Sequence, residues 1–341
     1  MTIMEGPNME LRQVETFRAV AEELSFSRAA AKLGYVQSSV SAQVAGLERE
    51  LGAPLFDRLG RRIVLTDTGE VLLAYSRRLL ALAVEAREAV ADAGAGSGAI
   101  TGSVTVSAPE TLLTYRLPKL LALFHERHPR VRLSVRPSAV GRLVGSARRA
   151  LEEGTVDVAF VLDAPLEGRL EATDLASEVL VAEDVSVVAP SFHALAPSSA
   201  VIPEDLAGEA VLLPEAPESG CAYRGQFERS LAEAGVLPRE TMEFQSIEAV
   251  KRCVAAGMGI SVLPSVAVGS EIESGALAPL GWKGSFEVLT QMAWHEGRWR
   301  SPAFRAFLGV AGEVFATTLR ASQGRAQHEP PVMPKLGTQP S

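Results

Sequence analysis

Cysteine is nearly absent from this 341-residue chain: Cys221 and Cys253 are the two it has. They are too few for the disulfide framework of a secreted scaffold, so both are expected as free thiols in a reducing cytoplasm. No apolar run approaches the roughly 18 residues that span a bilayer, and no basic start is followed by an apolar core. Neither a membrane span nor a signal peptide is expected. Aromatic residues make up 6% and lysines number five, against abundant Arg and Ala; this reads as codon bias and carries no chemistry. Net positive charge is lacking as well. The 33 basic residues against 41 acidic ones give −8, which over the whole chain argues against a polyanion-binding protein. A Gly-rich phosphate loop, a GxSxG elbow and an HExxH pair are all missing, so no catalytic residue, cofactor or metal is assigned. His125-x-x-His128 has no carboxylate or cysteine to complete a ligand set and reads as a surface pair before Pro129.

What is present is enough to fold. Hydrophobic residues at 47% and charged ones at 22% are the composition of a globular protein, and the length suits two or three domains. Two segments punctuate the chain. Residues 94–102 hold four glycines in nine positions, a hinge that neither keeps a helix nor packs a core. Residues 319–341 are rich in Pro, Gln and Gly and are expected to form a disordered tail.

Before the hinge the periodicity is helical. Leu11, Val14, Phe17, Ala21 and Leu24 recur every three or four residues, as one buried helix face requires. Ser25 or Ser27 can cap a short second helix over 28–33, Gly34 suits a left-handed cap, and a third helix spans about 37–51 with Val40, Val44, Leu47 and Leu51 inward. Three short helices joined this way predict a helix-turn-helix, whose last helix enters the major groove N-terminus first. Gln pairs bidentately with adenine, Ser serves base edge or phosphate, and a helix N-terminus favours a phosphate oxygen. Residues 56–65 then read as a β-wing with three arginines. Local charge outweighs the global sum here. From Phe26 to Arg62 six basic residues face three acidic ones, a +3 footprint on a remainder of −11, the pattern of a localised DNA contact; the alternative is a merely solvated face.

From Thr66 or Asp67 a helix runs to about Ala93. Leu72, Tyr75, Leu79, Leu82, Ala86, Ala89 and Ala93 alternate at spacings of three and four, an a/d seam that predicts dimerisation; the alternative is an amphipathic helix packed on its own domain. Beyond the hinge, strands at 103–107, 131–136 and 156–162 alternate with helices at 117–128 and 143–151, the pattern of a parallel sheet flanked by helices. Ligands bind such sheets beyond the strands' carboxyl ends. An enzyme on this portion would need a convergent acid/base or nucleophile constellation, and a ligand-binding protein without DNA function would lack the basic helix pair; neither fits.

Residues 9–75 strongly resemble LysR-type transcriptional regulators. The resemblance is carried, in order and spacing, by Met9-Glu10-Leu11-Arg12, Ser25-Phe26-Ser27-Arg28-Ala29-Ala30, Gln37-Ser38-Ser39-Val40-Ser41, Leu47-Glu48, Leu51-Gly52, Leu55-Phe56-Asp57-Arg58 and Leu65-Thr66-Asp67-Thr68-Gly69. It continues at Gly154-Thr155-Val156-Asp157, Phe192-His193-Ala194-Leu195, Asp205-Leu206 and 255–264, and so covers about residues 9–318. The implied architecture is α/β: an N-terminal winged helix-turn-helix domain (9–66), a linker and dimerisation helix (67–93), the hinge, and a two-lobed effector domain like a periplasmic binding protein. Lobe I is placed at 103–163 and 265–318, lobe II at 164–264. The implied partners are double-stranded promoter DNA, a small-molecule effector, further copies of the chain as homodimer or homotetramer, and RNA polymerase if it activates. Ser27, Arg28, Gln37, Ser38, Ser39, Ser41, Gln43, Arg58, Arg61 and Arg62 become the candidate DNA contacts. Ala42 stands where many relatives have Arg or Gln, so target preference does not transfer.

On the two-lobed topology the cleft is lined by Ser107, Pro109, Glu110 and Thr111 after the first strand, Ser138, Leu162 at the crossover, Cys221 and Ala222 at a helix start, and Ser246 and Ile247. Hydroxyls and helix N-terminal amides suit a small carboxylate. Glu110 would favour an amine if it faces the cleft, and is otherwise a solvent-facing residue or first-turn helix acid. Cys221 stands where peroxide-sensing relatives carry a reactive cysteine, but Gln226 to Ala232 offers no resolving partner. It reads either as a redox switch or as a pocket-lining or buried thiol.

Overall fold

The computed structural model describes residues 9–59, 62–94, 99–138, 146–164, 166, 173–214 and 221–326. At the N-terminus α1 (Leu11–Glu23), α2 (Phe26–Leu33) and α3 (Gln37–Leu51) pack as a trihelical head, followed by the hairpin β1 (Phe56–Leu59) and β2 (Arg62–Leu65). Ser25 caps α2 by accepting the Arg28 N–H at 3.3 Å, and Gly34 ends it at φ +71° with its own N–H on the Ala30 and Ala31 carbonyls. Val14, Phe17, Val20, Val40, Val44 and Leu47 are buried. Phe56 closes the bottom of this core, 5.4 Å from Phe17 and 5.8 Å from Phe26 between ring centres. Three residues expected inward are exposed: Leu11 (43%), Leu24 (49%) and Leu51 (36%). All three sit at helix ends, where the periodicity outruns the core; Leu24 is itself the left-handed cap of α1, at φ 46°.

The wing connects to the next helix through a small set of close contacts. The Glu48 carboxylate accepts the Leu55 and Phe56 N–H groups, and the Thr66 hydroxyl donates to the Pro54 carbonyl while capping α4 (Asp67–Gly94) at the Gly69 N–H. Gly69 is required there. A Cβ would be driven into the Leu55 carbonyl oxygen and the Leu65 side chain.

Two five-stranded sheets follow. The first has the order β4 (Val131–Pro137), β3 (Gly102–Ala108), β5 (Val158–Asp163), β12 (Leu289–His295), β6 (Leu175–Ala182); the second has β11 (Leu277–Pro279), β7 (Val185–Pro190), β10 (Ile260–Pro264), β8 (Ala210–Pro214), β9 (Glu240–Phe244). Each is mixed rather than parallel throughout. β4-β3-β5 and β10-β8-β9 run parallel, whereas β12 is antiparallel to β5 and β6, and β7 to β10 and β11. This pairing also moves the lobe boundaries. β6 belongs to the first sheet through β12, and α10 (Ser265–Glu273) and β11 to the second, so the chain leaves lobe I at Glu183–Asp184 and returns just before β12. The hydrophobic pattern marks a strand but does not name its partner 100 residues away.

Helices α5 (Glu110–Tyr115), α6 (Leu117–Arg127) and α7 (Ser146–Glu152) flank the first sheet, α8 (Ala222–Glu233) and α9 (Ile247–Ala255) the second. The last helix, α11 (Pro302–Ala326), returns to lobe I, with Phe307 edge-on to Phe124 and Phe160 at 5.1 and 6.3 Å. It runs to Ala326, through the first residues of the expected tail; 327–341 lie outside the described residues. Among the described residues no helix is long and apolar enough to cross a membrane.

Candidate DNA-reading surface and effector cleft

On α3, Gln37 and Ser38 are exposed at the N-terminus, Ser41 is half-buried, and Ala42 and Ala45 continue the open face. Gln43 and Ser39 are turned away from it. Gln43 Oε1 accepts the Thr16 hydroxyl on α1 at 2.6 Å, and its amide reaches Ser39 Oγ at 3.4 Å, so these two brace the helix pair. The periodicity places them near the reading face; the partner on α1 decides otherwise. Ser27 and Arg28 are exposed on the first turn of α2.

Charge around α2 is more balanced than the sequence window suggests. Lys32 Nζ lies 3.2 Å from both Glu22 and Glu23, and the Arg28 guanidinium pairs with the Glu23 carboxylate at 3.4 Å and donates to its backbone carbonyl. Hydrogen bonding by Lys32 holds the Glu23 carboxyl below its ordinary value. Including these two acids, six basic residues face five, and the footprint falls to +1. Among the described residues of this stretch, Arg49 at the end of α3 and Arg62 on the wing are exposed cations outside these ion pairs. In the hairpin Arg58 pairs with Ile63 and Leu59 with Arg62; Arg62 is exposed, whereas the Arg58 side chain and Arg61 lie outside the described residues.

Along one side, helix α4 packs on its own chain, as the second of the two readings expects. Leu72 and Leu73 pack on Phe17, Leu47 and Leu55, while further along Arg77 pairs with Glu153 at 3.3 Å and Glu85 accepts the Arg298 guanidinium and the Trp299 N–H, both at 3.0 Å. Its other face carries no partner among the described residues: Val71, Tyr75, Leu82 and Val90 are 57–74% exposed. Ala86 is exposed with them, and Leu79 is half-buried. Met9, Leu51, Leu55, Val71, Leu72, Tyr75 and Leu79 line an apolar groove at the helix base.

In the sensor, Ser107 is the penultimate residue of β3 and Thr111 lies in the first turn of α5; both are buried, and neither side chain hydrogen-bonds to a described residue. Pro109 is the N-cap of α5 and Glu110 its exposed first residue, a first-turn helix acid. Ser138 joins them by donating its N–H to the Ala108 carbonyl at 2.9 Å. In lobe II, Ala222 starts α8 and Ser246 is the N-cap of α9. Three further expected lining residues are buried in hydrophobic clusters: Leu162 and Cys221 in the one shared by both lobes, and Ile247 in that of lobe II. Cys253, half-buried, packs against that second cluster, apart from Cys221.

A group the sequence reading missed ties the lobes together. Lys251 on α9 is 4% exposed and donates to Glu248 at 2.6 Å, to the Ala267 carbonyl at 2.9 Å and to the Tyr115 hydroxyl of α5 at 3.1 Å. Burial works against its charge, yet the bonds to Glu248, Glu271 and Tyr115 hold it above the ordinary lysine value. One signal was available. Ile247, Val250, Lys251 and Val254 fall on one helical stripe, so a lysine on an apolar face demands a buried partner.

A winged helix-turn-helix reader joined by a long helix to a two-lobed α/β sensor defines a class, that of DNA-binding regulators built to respond to a ligand. Comparison with known proteins narrows it. Residues 11–70 match the family described as bacterial regulatory helix-turn-helix protein, lysR family, and residues 97–316 the LysR substrate binding domain. The HTH-type transcriptional regulator YwqM of Bacillus subtilis (strain 168) is 37% identical over 307 residues, covering 90% of this chain and 100% of that protein. The regulator CbbR of Rhodospirillum rubrum is 33% identical over 312 residues, covering 89% and 97%. Among solved structures, a full-length OxyR variant from Pseudomonas aeruginosa has a TM-score of 0.65 at 27% identity over 90% of this chain and 95% of that one. CbnR shares the fold, with a TM-score of 0.63 at 21% identity over 90% and 99%. The chain belongs to the LysR family of DNA-binding transcriptional regulators, whose members are not enzymes.

Proposed function

We propose that this regulator grips promoter DNA as a homodimer, two of which assemble into a tetramer, and that a small carboxylate-bearing metabolite between the lobes sets its output. The exposed apolar stripe of α4 carries the dimer: Val71, Tyr75, Leu82 and Val90 in water are a cost that a second copy removes. Pairing presents two α3 N-termini and two wings to two half-sites, which gives affinity that one short polar helix lacks. Gln37, Ser38 and Ser41 read bases or phosphates, and Arg58, Arg61 and Arg62 neutralise backbone or enter the minor groove. Ser107 and Thr111 supply buried hydroxyls for the effector, which must bind one lobe arrangement better than the other to shift anything. Where the outcome is activation, RNA polymerase is the further partner.

A mobility-shift titration with the promoter fragment beside its own gene tests the DNA reading. Replacing Arg58, Arg61 and Arg62 together by Ala should flatten the salt dependence by roughly one unit for each phosphate no longer neutralised. Specific binding unaffected by the triple change, or absent from the parent at moderate salt, refutes it. For the cleft, Thr111→Val should abolish the growth-condition response of a promoter reporter while DNA binding is retained; unaltered induction removes Thr111 from the site.

A further inference from the structure

The helix that carries the proposed effector loop ends in two residues with different anchors, one on the strands that connect the lobes and one on lobe II. At the N-terminal end of α5 stand Pro109, Glu110 and Thr111; at the other, within six residues, stands Tyr115. Its ring packs on the lobe II cluster, its hydroxyl donates to the Glu248 carboxylate and accepts from Lys251 Nζ, and that ammonium sits 5.2 Å from the ring centre. The next residue, Arg116, binds Glu183 through Nε at 2.9 Å and Nη2 at 2.5 Å. Glu183 is the point where the chain leaves lobe I; it also accepts the Thr290 hydroxyl of the returning strand at 2.6 Å and donates its N–H to the Val288 carbonyl at 2.8 Å. Arg116 thus fixes the foot of α5 to both connecting strands while Tyr115 reaches across to the other lobe.

We infer that Tyr115 is a positioning residue that sets the separation of the lobes, carrying any displacement of Pro109–Thr111 to the first turn of α9. A helix of one and a half turns cannot bend over the roughly 6 Å between Thr111 and Tyr115, so it moves as one piece about its anchored foot. At the far end the choice is between following and letting go. Letting go removes an oxygen ligand from a nearly fully buried ammonium, which is strongly unfavourable, so Lys251, Glu248 and α9 follow. Ser246, which the cleft reading sets on the opposite wall, is the N-cap of that same helix. Cleft, α5, Tyr115 and α9 therefore form a closed mechanical circuit.

The circuit rests on the cleft reading only for what drives it, and its test uses no ligand. Spin labels on noncanonical side chains at the exposed positions Glu178 of lobe I and Glu204 of lobe II leave both native cysteines in place. The labelled full-length chain is diluted with unlabelled protein, so the dipolar signal reports distances within one chain. Tyr115→Phe keeps the ring and loses the O–H; Glu248→Gln weakens the same link from lobe II. Both should broaden the inter-lobe distance distribution toward longer values, with unfolding midpoints lowered by only a few degrees. Val250→Ala, a cavity in the same cluster that leaves the link intact, should lower the midpoint without moving the distances. Distributions for Tyr115→Phe and Glu248→Gln that superimpose on the parent's overturn the inference, as does equal broadening by Val250→Ala. A failed Thr111→Val reporter experiment with broadened distances would sink the cleft reading and leave this linkage standing.

Discussion

The reading head and the sensor use charge in opposite ways. In the head the acidic partners of Arg18, Arg28 and Lys32 hold them at the surface, with side chains 34–65% exposed, where an ion pair is screened and contributes little to folding. In the sensor the corresponding groups are interior: the side chain of Glu183 is 1% exposed, Arg224 3% and Lys251 4%. There a pair adds little net stability when complete, but losing one partner leaves an uncompensated charge in a poorly solvated site. Head charges therefore stay paired at the surface, and sensor charges fix geometry.

The sharpest way to break this contrast is at Glu183. Glu183→Ala strands the Arg116 guanidinium and the Thr290 hydroxyl together and should cost about 3–5 kcal/mol, read as a drop in the urea midpoint at constant slope. Lys32→Ala in the head should leave that midpoint unchanged. Comparable losses from the two changes would mean that the surface pairs are structural after all. Next in size is the α4 stripe. Placing a carboxylate in the proposed seam with Leu82→Asp should convert the assembled protein to monomer in sedimentation experiments and lower promoter affinity by about tenfold or more, because two half-sites no longer act together. A variant that remains a dimer locates the interface elsewhere.

These contrasts also explain what the sequence could and could not disclose. Val40, Val44 and Leu47 on α3, Gly34 at the left-handed cap of α2 and Thr66 at the start of α4 are local devices, and short-range rules found each one. Leu11, Leu24 and Leu51 kept the period but lay beyond the core's edge. Glu22 and Glu23 precede the basic stretch in sequence, though the turn between α1 and α2 folds them onto Lys32 and Arg28. Strand β6 and the Arg116–Glu183 and Tyr115–Glu248 links depend on segments 67 to 133 residues apart, which no local periodicity encodes. The placement of Ser107 near the end of β3 and of Thr111 in the first turn of α5 was legible; the side chains that tie α5 to the strands connecting the lobes were not.

A smaller effect is expected where α4 meets lobe I. Burial raises the Asp157 carboxyl above its ordinary value, against the opposing bond from the Thr105 N–H at 2.7 Å. The folded state thus holds that proton more tightly than the unfolded chain does. Stability is favoured while Asp157 is protonated and is lost as pH rises from the ordinary aspartate value through the raised one. Asp157→Asn keeps an oxygen for Thr105 and cannot ionise, so its unfolding midpoint should gain on the parent as pH rises from the ordinary aspartate value through the raised one, and the difference should then stay level. A difference that is independent of pH would assign the effect to packing.

The smallest expected effect returns to the head and tests whether its surface pairs restrain DNA binding. Glu22→Gln with Glu23→Gln leaves the Glu23 backbone carbonyl still accepting from Arg28 but removes the carboxylates that neutralise Arg28 and Lys32. With both cations free, affinity for a random duplex should rise by roughly a few-fold, and the salt dependence should steepen by up to about 0.9 for each phosphate newly engaged. Folding should be indifferent, since the groups are exposed in either form. An unchanged slope would confine the electrostatic contact to the wing arginines. A steeper slope would mean that the acidic pair at the end of α1 holds nonspecific affinity down, so that the reader releases random duplex and depends on two wings, two α3 helices and the correct half-site spacing to stay bound.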